Sequence, residues 1–295
     1  MKKHSLSALL MLLLAFPAFA QQHTRAVTFD FSRDKDGNIV VESNNQDYCD
    51  YFGFIDFTNL IGYTERGGSS GSLAIPPGKK KLMTLVRDPS APQSSYRYTT
   101  STYRGSLMKK IDPQFVYSLP VKAGDSIQFI PAKSSEFTSL FNLQHAGDTI
   151  YACREGRVCD DKLTDTAKRT VSSKNKLIIY HKDGSLAEYT LFSEPLVYPK
   201  DYVDMGQPIA IVKPDENNRK RVAFSLYFLD KNKVRNANSG IKHSTIVPVF
   251  HSANKGDGKL EERTTYVANV TDEMTMQDMS KKERDKYLKK KEKEK

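Results

Sequence analysis

A mostly β fold is what this chain predicts, and three observations predict it. Apolar and polar residues alternate over short runs, glycine- and proline-bearing turns separate those runs, and no helical period is convincing between residues 125 and 230. The elements follow in order. Met1-Lys2-Lys3 is a positive n-region, Leu9 to Phe16 an apolar h-region and Ala18-Phe19-Ala20 a small-x-small site, so residues 1–20 are expected to be a signal peptide. Gln21 follows the expected cleavage point, so nothing in the signal suggests a lipid anchor. The apolar run is short for a membrane span and no later stretch approaches the length of one. A periplasmic or secreted location is the expectation.

Residues 21–124 read as an N-terminal β-sandwich. Ala26 to Phe31 and Phe52 to Phe57 alternate, Asn38 to Glu42 follows a Lys35-Asp36-Gly37 turn, and Gly67 to Ser72 is a loop before the basic-apolar strand Lys80 to Val86. Residues 125–268 continue as strands: Ser126 to Ile130, Thr149 to Cys153, Lys176 to His181, Ala187 to Phe192 and Ile209 to Val212. Val222 to Phe228 is a buried strand by composition, with Ile246 to Phe250 and Thr264 to Val267 after it. Residues 269–295 lack a β pattern and read as a charged helix fraying into disorder.

The formal charge is +10, yet residues 281–295 carry eight Lys and one Arg against four acids, so half of it sits in the tail. The body has no basic stripe, which excludes a nucleic-acid partner. The tail itself reads either as solvated charge or as a dock for anionic polymer or lipid. Of the three cysteines, Cys153 and Cys159 flank a turn at Gly156, and the spacing admits a cross-strand disulfide or two free, partly buried thiols. Cys49 has no obvious partner.

Three blocks carry a resemblance. They are Ile150-Tyr151-Ala152-Cys153-Arg154-Glu155-Gly156-Arg157-Val158, then Leu177-Ile178-Ile179-Tyr180-His181-Lys182-Asp183-Gly184-Ser185-Leu186-Ala187-Glu188-Tyr189, then Val203-Asp204-Met205-Gly206-Gln207-Pro208-Ile209-Ala210. In order and spacing the series resembles the lysostaphin/LytM-type zinc metallopeptidases, which cleave peptidoglycan peptides. The resemblance covers roughly Phe52 to Phe250 and implies a β-barrel-like, duplicated-hybrid-motif core. It retains His181, Asp183, Gly184, Tyr189, Gly206 and Gln207 as motif residues.

The same resemblance implies one zinc held by a His, an Asp and the His of an H-x-H motif, with a further His beside the attacking water. Here the H-L-H-F motif falls on Ser225-Leu226-Tyr227-Phe228, the ligand Asp on Leu140 and the catalytic His on Leu191. Leucine cannot ligate zinc, and Ser or neutral Tyr replaces imidazole poorly. The expectation is therefore an inactive peptidase-like envelope protein without cofactor, with peptidoglycan or another envelope protein as partner, binding the wall or regulating wall hydrolases. The alternative is an active zinc endopeptidase with an atypical set such as His145, Asp148 and His181, to which His243 and His251 are further candidates. A non-enzymatic structural or adhesive envelope protein is the third reading. By itself His181 reads as a hydrogen-bonded strand histidine, and Ser225 as a strand serine without an elbow or partnered base.

Overall fold

The computed structural model describes residues 25–66, 73–131, 138–143, 145–162, 175–235 and 242–294. The expected signal peptide and the loop Gly67 to Ser72 lie outside them. Mostly β architecture is what the chain adopts, with five sheets among the described residues.

The first body pairs Val27–Arg33, Ile39–Asn45, Gly78–Arg87 and Tyr63–Arg66 in that order in one antiparallel sheet. A second sheet orders Leu73–Ile75, Tyr51–Ile61 and Ser95–Arg104. Ile39–Asn45 buries every second residue, as a strand with one covered face must. Val41, Tyr51, Ile55, Met83 and Leu85 pool between the sheets in a single core, which is the expected sandwich.

The second body is built on nine strands. Tyr202–Val203, Gly156–Val158, Lys176–Tyr180, Leu186–Thr190, Arg221–Leu229, Thr138–Asn142, Ser126–Pro131 and Thr265–Val267 follow one another, and His243–Ile246 joins the far end of Arg221–Leu229. Arg221–Leu229 is flanked on both sides, with one face largely buried and the other half-buried, which fits its near-continuous apolar run. Two three-stranded sheets complete this body. One orders Thr149–Tyr151, Pro208–Ile211 and Glu194–Pro195, and the other Gly256–Gly258, Val249–Ser252 and Val116–Tyr117.

Several expectations are corrected. The described residues form no closed barrel: the large sheet is open, with Tyr202–Val203 and Thr265–Val267 at its two ends. Thr149–Tyr151 and Gly156–Val158 are not a hairpin about Gly156, because the chain between them passes from one sheet to another. Val116–Tyr117 pairs in parallel with Val249-Phe250, and Phe115, Tyr117, Leu119 and Val121 belong to the second core. Ile246 to Phe250 is two strands with the break at Val247-Pro248, where proline has no N–H to give a ladder.

The tail is folded. Thr271 caps the short helix Asp272–Met276 by accepting from Met274 N–H, and Met274 is buried. Ser280 and Glu283 cap the helix Lys281–Glu294 reciprocally, with Ser280 N–H donating to Glu283 Oε2 at 2.7 Å and Glu283 N–H to Ser280 Oγ at 3.4 Å. Among the described residues no helix is long and apolar enough to cross a membrane.

Candidate functional site

The positions at which the resemblance would put hydrolysis lie on and beside the strands Thr138–Asn142, Leu186–Thr190 and Arg221–Leu229. Register places Leu140 opposite Ala223, and Ser225 opposite Thr138 on one side and Glu188 on the other. Tyr227 lies four residues beyond Ala223 on the same face, roughly 14 Å along the strand. Leu191 stands past the end of Leu186–Thr190 with a φ of +69°, a conformation that is uncommon for a non-glycine residue. These positions do not converge on one point. The opposite face is filled by Phe141, Tyr189 and Phe224, packed edge-on with Tyr117 and Phe250.

The remaining candidates are dispersed. Asp148 pairs with Lys220 at 2.9 Å and His145 is exposed. His243 Nε2 meets the Arg104 carbonyl at 2.8 Å, and His251 Nδ1 meets Asp257 Oδ1 at 2.5 Å. The atypical set of His145, Asp148 and His181 is thus not assembled around a common centre.

The retained motif residues are scaffold and turn residues. Gly184 has a φ of +92° in the turn after Lys182-Asp183, a conformation suited to glycine. Gly156 needs its missing side chain for a different reason: a Cβ there would lie 2.6 Å from Ile179 Cγ2 and 2.7 Å from the Tyr180 carbonyl oxygen. Tyr189 accepts a hydrogen bond from Cys153 N–H at 2.8 Å through its phenol oxygen. Gln207 Oε1 accepts from Asp204 N–H at 3.0 Å, and Gly206 N–H donates to the Ala152 carbonyl at 2.8 Å, closing the turn onto the Ala152 loop.

Asp183 does more than turn the chain. Its Oδ2 accepts from Arg154 Nη1 at 3.0 Å, and Arg154 also grips Asp278 with two bonds, Nε to Oδ2 at 2.8 Å and Nη2 to Oδ1 at 2.9 Å. Arg154 is wholly buried, donates to Tyr117 Oη at 3.1 Å and stacks 3.6 Å from the Phe115 ring centre. Burial works to raise the Asp183 carboxyl, but the Arg154 charge and hydrogen bonds from Ser185 and Asp112 N–H hold it below the ordinary carboxylate range. One buried guanidinium therefore ties the sheet to the C-terminal segment.

That tie sets the helix Lys281–Glu294 over a groove of about 1570 Å³. Nine Lys and Arg residues line it against five acids, with Tyr48, Tyr180, Tyr202 and Tyr287 among the lining. Lys282, Lys286, Lys289 and Lys293 recur at helical spacing on the wall. Tyr287 Oη donates to Asp272 at 2.9 Å, and Lys291 pairs with the same carboxylate, which fixes the helix against its neighbour. Opposite, Tyr180 Oη donates to Asp50 at 2.8 Å, and Lys109 lies 4.5 Å from the Tyr180 ring centre, so the first body supplies part of the wall.

His181 belongs to this lining and is almost completely buried. Its Nδ1 lies 2.7 Å from the Glu155 carbonyl oxygen, which can only accept, so the proton sits on Nδ1. Nε2 then carries a bare lone pair, and no hydrogen-bond partner meets it among the described residues. Burial first, and then the Arg154 charge, push the imidazole pKa down to about 3, so the ring is neutral at physiological pH. Next to it, burial and then the Asp278 charge raise the Glu155 carboxyl above its ordinary value.

Sequence reading singled out His181 and Asp183 but not Arg154, Asp278, Glu155 or the tyrosines. The available signals were Arg154 directly after the apolar run Ile150 to Cys153 and the Ser280-Lys281-Lys282-Glu283 capping pattern in the tail. Of the two alternatives for Cys153 and Cys159, the structure has the free thiols, and the two residues belong to different cores. Cys153 lies in the second core beside Tyr189, whereas Cys159 lies in the first core with Cys49.

No known family matches the chain, and no curated protein matches it. Among solved structures it is similar to Helicobacter pylori Csd3, at 10% identity over 90% of this chain and 81% of that one, with a TM-score of 0.28. At that level the function has to be argued from the residues.

Proposed function

We propose that this chain is an exported, non-hydrolytic protein of the cell envelope that binds peptidoglycan through the groove beneath its C-terminal helix. The composition of that groove carries the reading. Sugar rings present C–H faces that stack on tyrosines, and the stem peptides of peptidoglycan present carboxylates that pair with lysines. The neutral His181 Nε2 adds an acceptor suited to a sugar hydroxyl or an amide N–H. Loss of hydrolysis is supported by the residue types at the aligned positions, since Leu140, Leu191, Ser225 and Tyr227 offer no imidazole and no carboxylate. Export is supported by the pattern of residues 1–20. Regulation of wall hydrolases is compatible with occupancy of their substrate.

The test is co-sedimentation of the signal-free chain with isolated cell-wall sacculi across a salt series, beside the triple variant Lys282→Glu, Lys286→Glu, Lys289→Glu. The three lysines are exposed, so each change is expected to move stability by no more than about 0.5 kcal/mol. Salt-weakened binding by the parent and its loss in the variant are the expected results. A parent that stays in the supernatant, or a variant that sediments equally well, overturns the proposal.

A further inference from the structure

We infer that Cys49 and Cys159 form a disulfide that cross-links the N-terminal body to the large sheet. Cys49 precedes the strand Tyr51–Ile61 and Cys159 follows the strand Gly156–Val158, so 110 positions separate two residues that the fold brings side by side. Both thiols are buried, and their sulfur atoms lie within 4.8 Å of one another and of an Asp47 carboxylate oxygen. A disulfide would bring those two sulfurs to about 2 Å.

The surroundings hold both backbones still. Cys159 N–H donates to the Ile178 carbonyl at 2.9 Å, and the next residue is clamped twice by the first body. Asp160 N–H donates to Asp47 Oδ1 at 2.8 Å, and Arg104 Nη2 donates to the Asp160 carbonyl at 2.6 Å. On the other side Asn45 Nδ2 donates to the Cys49 carbonyl at 2.9 Å.

A metal suits this trio less well than a cross-link. Asp47 Oδ2 already meets the Arg104 guanidinium at 2.8 Å and accepts from Tyr51 Oη at 3.1 Å. Its lone pairs are engaged, and the buried guanidinium repels a dication at that place. All three cysteines are free thiols in the structure, and Cys153 lies apart from the pair in the other core.

The chemistry needs a disulfide oxidant, such as oxidised glutathione or a dithiol–disulfide oxidoreductase. One cysteine thiolate attacks the oxidant's S–S bond, forming a mixed disulfide and expelling one thiolate. The second cysteine thiolate attacks the protein sulfur of that mixed disulfide, closing the Cys49–Cys159 bond and expelling the second thiolate. The two protons given up by the cysteines end on the two expelled thiols. Because both sulfurs are buried in the folded chain, this exchange belongs to folding, before the two bodies close on each other.

The experiment refolds the full signal-free chain in a glutathione redox buffer, with metal content measured on the same sample. The product is then alkylated in denaturant without reductant and its peptides are mapped by mass spectrometry. Expected are one alkylated cysteine, Cys153, a cross-linked Cys49–Cys159 peptide that separates on reduction, and no bound metal. Refolding of Cys153→Ser is expected to give the same cross-link with no alkylated cysteine. Three alkylated cysteines, a bridge that includes Cys153, or stoichiometric metal lost in Cys49→Ser would each overturn the inference. The refolding assay does not depend on export, so its failure and that of the envelope reading are distinguishable.

Discussion

The sheet strip around Ser225 and the groove beneath the C-terminal helix are two sides of one question, where this molecule keeps its chemistry. In the strip, the aligned positions are spread along the strands, and the face behind them is closed by Phe141, Tyr189 and Phe224. In the groove, charged and tyrosine residues make up most of the lining, and the buried His181 Nε2 has no partner among the described residues. Well-packed aromatic surface supplies stability, whereas unspent hydrogen-bonding capacity beside a large opening is where a ligand gains most. The difference teaches that the sheet face around Phe224 is packed for stability, while the unspent polar capacity lies beside it. Arg154 connects the two, because its carboxylate partners come from the sheet turn and from the tail.

The largest effect belongs to that connection. Arg154→Met leaves Asp183 and Asp278 facing each other without a cation, and it is expected to cost about 3–5 kcal/mol in urea unfolding. Next comes Phe224→Ala in the strip, expected to cost about 3 kcal/mol because the neighbouring rings of Tyr117, Tyr189 and Phe250 partly close the cavity. The same substitution is expected to leave sacculus binding intact in the folded fraction; lost binding would put the strip back in the site.

The pH dependence sharpens the groove side. His181 has a folded pKa of about 3 against an ordinary value of 6.5, so its contribution is fully present above pH 6.5. On acidification the unfolded chain takes up a proton that the folded chain refuses. Stability is then lost at up to about 1.4 kcal/mol per pH unit as pH falls from 6.5 towards 3. His181→Asn keeps a donor for the Glu155 carbonyl and removes the titration, so in urea melts across that range its profile is expected to lack this component. The smallest effect is that of a chelator: EDTA is expected to leave the melting temperature unchanged, and a drop would restore a metal to the account.

Much of the fold is legible in the sequence, because strand alternation is a local property. Ile39 to Val41, Phe52 to Phe57, Lys176 to Tyr180 and Val222 to Phe228 declare themselves by period and composition. The sheet partners of Thr149–Tyr151 and Gly156–Val158 do not, since pairing is decided by distant strands. The site was legible only at His181 and Asp183, both in the turn block. Arg154, Asp278 and the tail lysines meet across more than 120 residues, and nothing local in a Lys- and Glu-rich tail says that it docks. Cys49 escaped for the same reason: its neighbour Cys159 is adjacent only in space.

The most direct test is hydrogen–deuterium exchange of the signal-free chain with and without soluble muropeptide fragments. Protection at residues 155–157, 180–182 and 278–293 is the result expected of a groove-bound ligand. Protection confined to residues 138–142, 186–190 and 221–229, or no change at all, would contradict the claim that the groove is the site.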